Sequence, residues 1–306
     1  MPIKNVTVRV PAKVNLQLSV GPREEDGFHN LVSVFQAISI FDEVTISLGQ
    51  PKSGVTVSVT GEQTHGVPAD ANNLAAQAAA LMAEEYDIEI DAHIEIKKSI
   101  PVAGGMAGGS ADAAATIVAI DALYSLGMSR EEMAETAAKL GSDVPFMLSG
   151  GTAIGRGHGD QLTSALSRGT YHWVLALSTV GLSTPAVYGE CDRLRAGLQI
   201  AAPQTNEALM QALLASDSKA VGASLVNDLQ AAACSLRPAL RLVLDVGEEY
   251  GALGAIVSGS GPTVAFLVDN EEQGLDLAVA LTASGVVGSV ARAYGPVHGA
   301  KVLENR

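Results

Sequence analysis

Residues 101–112 form the segment whose composition points most directly to chemistry. They read PVAGGMAGGSAD and lead directly into an alanine-rich stretch that is typical of a helix. Glycine lets successive backbone N–H groups turn towards one point, and a helix N-terminus adds roughly half a positive charge. The segment therefore favours an anion site, with phosphate as the most plausible ligand. A glycine turn that only allows close helix packing explains the composition equally well.

The spacing of these glycines excludes several known phosphate-binding motifs. The segment lacks the GK[ST] ending of a Walker A loop and the GxGxxG register of a Rossmann turn, and the chain has no HRD or DFG of a protein kinase. A second glycine cluster, 258–263, lies between two strand-like segments. Alone it favours a simple hairpin turn. Paired with the first segment, it could close over the same phosphates.

Three polar residues stand out by their placement. Lys13 and Asn15 share the polar face of the first predicted strand, while Asp143 lies between the helix-ending Gly141 and Pro145. An Asp beside a Lys can act as a general base, with a cation that stabilises the developing alkoxide. A solvated strand face for Lys13 and an ordinary turn for Asp143 are the alternatives.

The elements that must position these residues follow from the hydrophobic pattern. Alternation over 6–20 predicts a first strand that ends at Gly21, and similar runs predict strands at 44–48, 55–59 and 88–96. The first hundred residues are therefore expected to form mostly antiparallel sheet.

Helices are expected on either side of the glycine segment. They are predicted at 73–85, at 110–126 and from the capping box of Ser129 and Glu132 to Gly141. In the second half the order is strand, helices, strand, strand, helix, strand, which is the split βαβ arrangement of ferredoxin-like domains. Its elements are predicted at 173–177, 185–250, 252–257, 263–268, 271–283 and near Val290. We interpret the chain as α+β with two domains, 1–165 and 166–306.

Composition limits the classes of partner. The 306 residues carry a net charge of −14 with a pI near 4.8, which disfavours nucleic acid and anionic membranes as partners. No run supplies the roughly 18 apolar residues of a membrane span, and Lys4, Arg9 and Lys13 interrupt any secretory signal. Two distant cysteines fit a reducing, cytoplasmic setting. The remaining histidines, His158 among them, show no metal-ligand spacing and are interpreted as ordinary surface or core residues.

Three ordered motifs, 11–15, 101–115 and 258–263, resemble those of the GHMP kinases, and the resemblance covers nearly the whole chain. It implies a ribosomal-S5-domain-2-like N-terminal ATP-binding domain and a ferredoxin-like C-terminal substrate domain. The segments 11–16, 26–36 and 141–146 are most similar to the branch of the family that phosphorylates the 2-hydroxyl of a cytidyl-diphosphate ester of methylerythritol, in isoprenoid precursor synthesis.

The resemblance implies roles position by position. Asp143 would be the base that accepts the hydroxyl proton, and Lys13 would keep Asp143 ionised. ATP would be the phosphoryl donor with Mg²⁺ bridging its β- and γ-phosphates, and Ser110 would be a candidate Mg²⁺ ligand. The residues expected at ATP are Asn73, Lys98, Pro101, Gly104, Gly105, Gly108, Gly109 and Ser110.

On the acceptor side, the resemblance implies that Phe28 and Tyr188 sandwich the cytosine ring. Asn15 and His29 would bond the cytidyl and erythritol parts, with Thr184 beside them. The chain departs from the family where Phe28 replaces the usual Tyr and Ala111 stands at the second serine of the loop. Ala103 and Ala107 also replace flexible positions of that loop.

Rival interpretations remain open. One is another small-alcohol kinase of the same family, acting on mevalonate, homoserine or a sugar. The other is a nucleotide-binding relative without catalysis, which the retention of Lys13 and Asp143 disfavours. A hydrolase is excluded because Ser216 and Lys219 form a lone SxxK without SDN or KTG partners. The sequence leaves the oligomeric state open.

Overall fold

A computed structural model describes residues 4–303 of the chain; residues 1–3 and 304–306 of the two predicted domains lie outside that range. The strands are β1 (Asn5–Arg23), β2 (His29–Leu48), β3 (Val55–Gly61), β4 (Ala92–Lys98), β5 (Thr152–Gly157), β6 (Gln161–Ser164), β7 (Tyr171–Leu177), β8 (Val226–Asn227), β9 (Gly254–Val257), β10 (Val264–Val268), β11 (Ser289–Gly295) and β12 (Lys301–Val302). The helices are α1 (Leu74–Tyr86), α2 (Gly108–Tyr124), α3 (Arg130–Leu140), α4 (Val144–Ser149), α5 (Thr184–Leu194), α6 (Glu207–Ala215), α7 (Ser218–Ala223), α8 (Gln230–Leu236), α9 (Ala239–Glu249) and α10 (Glu271–Ser284).

The first sheet has the strand order β12-β1-β2-β4-β3, with β5 on β2, β6 on β5 and β8 on β1. The pairs β1–β2 and β2–β4 are antiparallel, as predicted. The expectation of a mostly antiparallel first hundred residues is therefore confirmed, with one exception at the sheet edge, where the pair β3–β4 is parallel. The reason is that helix α1 connects β3 to β4 as a crossover. It brings the chain back to the end of the sheet where β3 begins, so that β4 runs in the same direction as β3.

Strand β2 is far longer than the predicted run at 44–48. Residues 32–38 are buried without interruption, so the period of two on which the prediction relies is missing. The polar residues of this stretch are buried by distant contacts: Ser33 is bonded to Asn15 and Gln17 of β1. Trp173 of β7 donates its indole N–H to Gln36 Oε1 at 3.1 Å. Strand β1 likewise continues past Gly21 to Arg23, because Arg23 still pairs with His29.

Helix α2 is the central helix of the first half. All of its alanines except the half-buried Ala122 are buried, and their small side chains let the helix pack closely against α1 and against β1 and β2. It begins at Gly108, earlier than predicted, and the capping box at the start of α3 is confirmed. The result is a short connection of residues 99–107 between β4 and α2, which we call the phosphate loop.

The second sheet confirms the ferredoxin-like prediction. Its order is β11-β7-β10-β9, and every neighbouring pair is antiparallel. Numbered within this half, the order is 4-1-3-2, which a split βαβ unit produces. The predicted helical stretch at 185–250 consists of α5 to α9, interrupted by β8.

Two short strands from the second half return to the first sheet. Strand β8 lies parallel to β1 at Gln17 and Leu18, and β12 lies antiparallel to β1 at Val8 and Arg9. The division of the chain near residue 165 stays a prediction. None of the helices within residues 4–303 has the length and apolar character needed to cross a lipid bilayer.

Candidate active site

A cavity of about 360 Å³ lies where the phosphate loop and the start of α2 meet the second glycine cluster. Ala107 occupies the N-cap position of α2, and no side chain in the described chain caps that helix end. The first-turn N–H groups therefore face the cavity as the positive end of a helix of 17 residues. The structure brings these predicted ATP residues together in the cavity lining: Pro101, Gly104, Gly105, Gly108, Gly109 and Ser110.

The two glycine segments pack directly against each other. Ser258 Oγ donates to the Gly105 carbonyl at 3.0 Å, and Thr263 N donates to the Gly104 carbonyl at 3.3 Å. Gly105 has a φ of 75°, and a Cβ there would lie 2.0 Å from the Ser258 carbonyl oxygen. Only glycine fits at this contact, so the two segments form one wall of the cavity.

Lys13 and Asp143 meet at the centre of this cavity. Lys13 is buried, with Nζ donating to Asn15 Oδ1 at 2.5 Å and lying 3.7 Å from Asp143 Oδ2. Asp143 precedes α4, but its carboxylate caps no amide of that helix in the described chain. The carboxylate therefore points into the cavity, with 30% of the side chain exposed. Burial lowers the pKa of the Lys13 ammonium, and the negative charge of Asp143 opposes that change.

Asn15 is fixed from both sides. Its Oδ1 accepts from Lys13, while its Nδ2 donates to Ser33 Oγ at 2.7 Å. Both Lys13 and Asn15 are at most 4% exposed, so the solvated strand face is ruled out for this part of β1. The structure instead contains a buried ammonium that is hydrogen-bonded to an amide and forms an ion pair with a carboxylate.

The opposite side of the cavity is built by α5. Thr184 opens this helix and shares a hydrogen bond of 2.8 Å between its Oγ1 and Ser260 Oγ. Tyr188 lies one turn further on and also lines the cavity. Burial raises the pKa of the Tyr188 hydroxyl, and the nearby Asp143 adds to that rise. The Tyr188 ring therefore enters the cavity as a neutral group.

Two ring pairs stand beside the cavity. The exposed Phe28 ring has its centroid 5.3 Å from that of His158, and the buried His29 ring lies 5.3 Å from Tyr188. His158 and Tyr188 line the cavity, whereas their partner rings Phe28 and His29 are not among the lining residues. His29 Nε2 is held 2.8 Å from Asp192 Oδ1. The structure thus places Phe28 and His29 next to the cavity rather than in its lining.

Asn73 and Lys98 are engaged elsewhere. Asn73 caps α1: its Oδ1 accepts from Ala75 N at 2.9 Å, and its Nδ2 donates to the Pro68 carbonyl at 2.7 Å. Lys98 is 1% exposed, and its ammonium is bound to two buried carboxylates and one carbonyl. Neither side chain is among those that line the cavity. Contact of these two residues with ATP stays a prediction.

Comparisons with known proteins agree with the geometry. Residues 73–151 match the GHMP kinases N terminal domain, and residues 209–287 match the GHMP kinases C terminal domain. The chain is 52% identical over 307 residues to a 4-diphosphocytidyl-2-C-methyl-D-erythritol kinase of Thermobifida fusca, with 98% of each chain covered. The chain belongs to the GHMP kinase family.

Solved structures support the same placement. A crystal structure of 4-(cytidine 5'-diphospho)-2C-methyl-D-erythritol kinase superimposes with a TM-score of 0.74 at 30% identity, covering 94% of this chain and 98% of that one. The mevalonate kinase of L. major gives a TM-score of 0.75 at 16% identity, covering 98% and 99% of the two chains. The second likeness shows the GHMP fold alone.

His158 is a residue of this GHMP kinase that sequence reasoning missed. It was interpreted as an ordinary surface or core histidine, but it lines the cavity beside Gly159 and contacts Phe28. Its flanking glycines, Gly157 and Gly159, both have positive φ and form the turn between β5 and β6. The available sequence signal is a histidine between two glycines, which is typical of an exposed turn.

Two of the residues that depart from the family loop have an unfavourable backbone conformation. Ala103 and Ala107 have φ of 50° and 59°, in the left-handed region that favours glycine. An alanine there costs on the order of 1 to 2 kcal/mol. The phosphate loop of this GHMP kinase is therefore held under local backbone strain, which the surrounding contacts must offset.

Proposed function

We propose that this GHMP kinase transfers the γ-phosphoryl group of ATP to the 2-hydroxyl of 4-diphosphocytidyl-2-C-methyl-D-erythritol, giving the 2-phosphate and ADP. The reaction would belong to non-mevalonate isoprenoid precursor synthesis in the cytoplasm. A reducing cytoplasm would keep the two free, buried cysteines Cys191 and Cys234 as thiols. The observation that carries the proposal is the 52% sequence identity, over nearly the full length, to a 4-diphosphocytidyl-2-C-methyl-D-erythritol kinase. The GHMP fold alone would not distinguish between acceptors.

The ATP phosphates would lie against the phosphate loop and the start of α2. Backbone N–H groups and the helix dipole offer positive charge there without a cluster of lysines. This resolves an apparent conflict with the net charge of −14, because the anion is bound by oriented amides rather than by a basic surface.

Asp143 would take the proton from the acceptor hydroxyl. The hydroxyl oxygen then bonds to the γ-phosphorus as the bond between that phosphorus and the bridging oxygen breaks, and ADP leaves with the electron pair. Lys13, 3.7 Å from Asp143, favours the ionised carboxylate and the developing negative charge on the oxygen. Since phosphoryl transfer depends mainly on positioning and charge neutralisation, we expect alignment of the two reactants to contribute more than Asp143 itself.

The oxygens around the phosphate loop are compatible with Mg²⁺. Residues 4–303 contain no group of three or more His, Cys, Asp or Glu side chains that could hold a metal. Mg²⁺ does not require one, because it is commonly held by one or two protein oxygens together with nucleotide phosphates and water. Ser110 and Asp143 offer such oxygens in the cavity lining. When bound, the ion would neutralise charge on the β- and γ-phosphates.

The acceptor would occupy the side of the cavity built by α5. Phe28 and Tyr188 offer two aromatic faces to the neutral cytosine, and stacking contributes on the order of 1 to 3 kcal/mol per base. Asn15, His29 and Thr184 would supply polar contacts. Lys13 and His158 are the basic residues of the described cavity lining, and His158 would lie beside the diphosphate.

A coupled assay of ADP release over a panel of alcohols tests this function. We expect turnover with the cytidyl-diphosphate substrate and little with mevalonate, homoserine or galactose. Equal turnover of mevalonate or homoserine would show a different acceptor within the family. Binding of ATP without turnover of any alcohol would favour the non-catalytic relative.

A further inference from the structure

Lys98, at the end of β4, forms a buried ionic cluster with Asp42 of β2 and Asp112 of α2. Lys98 Nζ donates to Asp42 Oδ2 at 2.5 Å and to Asp112 Oδ2 at 2.8 Å. It also donates to the Gly108 carbonyl at 3.1 Å. All three ionisable residues are at most 2% exposed. Burial alone would lower the pKa of Lys98, but the two carboxylates outweigh it and raise that pKa, so the ammonium stays charged.

The cluster touches both ends of the phosphate loop. At the start, Asp42 Oδ1 accepts from Ser99 N at 2.6 Å and from Ile100 N at 2.9 Å. At the end, Lys98 holds the carbonyl of Gly108, the first residue of α2. A Cβ at Gly108 would lie 3.0 Å from Lys98 Nζ, so the close approach depends on glycine. One ionic group thus fixes where the loop begins and where the helix starts.

Stability alone is a poor reason for this arrangement. Desolvating buried ions costs free energy that their attraction often only balances. Asp112 Oδ1 lacks a hydrogen-bond partner in the described chain, so the cluster is not optimised for its own stability. The preceding residue, Lys97, instead pairs with Glu43 at the surface. A buried group that is costly and poorly satisfied, yet bonded to both loop ends, has the properties expected of a positioning device.

We propose that Asp42, Lys98 and Asp112 form a clamp that sets the geometry of the phosphate loop. Lys98 acts on the nucleotide through Gly108 and the first turn of α2 instead of touching it. Lys98 is then a positioning residue. The inference rests on the proposed function only in taking ATP as the ligand of the loop.

The double variant Lys98→Met/Asp112→Asn tests the clamp. It removes the ammonium of Lys98 and the ionisable carboxyl group of Asp112, and it leaves Asp42 with its two backbone amides. Lys97→Met is the matched control, because it makes the same change at the neighbouring, exposed position. The readouts are the KM for ATP, the KM for the acceptor, and hydrogen exchange of amides 99–111 without nucleotide.

We expect the double variant to exchange these amides faster than the wild type and to raise the KM for ATP about tenfold to 10²-fold, because small misplacements of binding groups have effects of this size. The KM for the acceptor should change little, and Lys97→Met should match the wild type in all three readouts. If the wild type turns over no acceptor, affinity for a non-hydrolysable ATP analogue replaces the KM. Absence of turnover in the wild type would contradict the proposed function, but the clamp could still be tested through binding of the analogue.

Two results would overturn the clamp. A raised KM for ATP with unchanged hydrogen exchange would mean that Lys98 contacts the nucleotide directly. An equal rise in both KM values would mean a general loss of structure. Should the double variant not fold, Asp42→Asn keeps the side-chain shape and is expected to speed exchange at Ser99 and Ile100. Unchanged exchange there would also contradict the proposal.

Discussion

Asp112 makes the stability of this GHMP kinase depend on pH in a way that one isosteric substitution can isolate. Burial raises the pKa of Asp112 from 3.8 to about 8, with Asp42 adding to the rise and Lys98 opposing it. Two carboxyl groups share one ammonium in this cluster, so one proton relieves the excess negative charge. Asp112→Asn keeps the size of the side chain and removes its titration.

Proton linkage determines whether the free energy of unfolding rises or falls with pH. Between pH 3.8 and about 8, the folded protein keeps a proton that the unfolded chain releases. The free energy of unfolding therefore falls by about 1.4 kcal/mol for each pH unit in this range. From pH 5 to pH 7, the free energy of unfolding of the wild type should fall by roughly 3 kcal/mol relative to that of Asp112→Asn. Above pH 8, where both states have released the proton, the difference should level off.

Urea unfolding followed by far-UV circular dichroism, at constant ionic strength from pH 5 to pH 9, measures this difference. Titrations shared by both proteins cancel when the two curves are subtracted. Asp276→Asn serves as the control, because that carboxyl is exposed on α10. A difference between wild type and Asp112→Asn that stays constant from pH 5 to pH 8 would show that Asp112 is ionised throughout, and the reasoning would fail.

Four further substitutions test the cavity. Asp143→Asn should lower turnover about 10²- to 10⁴-fold with far less effect on the affinity for an ATP analogue; unchanged turnover removes Asp143 from the base role. Phe28→Ala should raise the KM for the cytidyl substrate about tenfold or more, because stacking on the cytosine ring is lost. A larger effect on the KM for ATP would mean that the cytosine ring binds elsewhere. His158→Ala should raise the same KM about two- to fivefold, as for one exposed ionic contact, and no change excludes it from the diphosphate. Gly105→Ala should cost about 2 to 4 kcal/mol in thermal unfolding, from its positive φ and its contact with Ser258, and an unchanged Tm would mean that the loops separate freely.

The sequence was informative where local pattern decides structure. Alternation located β1, the capping box located α3, and the order of elements predicted the ferredoxin-like sheet. Glycine composition located both segments of the cavity wall. Each of these features depends on residues close together in the chain.

Features that depend on distant contacts were missed. Gln36 of β2 is buried where Trp173, far along the chain, donates a hydrogen bond to it. The surroundings of Lys98 include Asp42, which no local pattern connects to it. His158 reaches the cavity only because β5 and β6 bring their connecting turn back beside Phe28. Tertiary packing determines all three, and a single sequence without its fold does not reveal it.

The return of β8 and β12 to β1 has a consequence for the order in which the molecule is made. During synthesis, β1 emerges early, but its partners at residues 226–227 and 301–302 emerge much later. Until then one edge of β1 offers unpaired backbone groups, which is the kind of edge that recruits other chains. A nascent or truncated first half would carry this open edge. We therefore expect the first sheet to be completed only after β12 has been synthesised, so that two late segments of the chain close the free edge of β1.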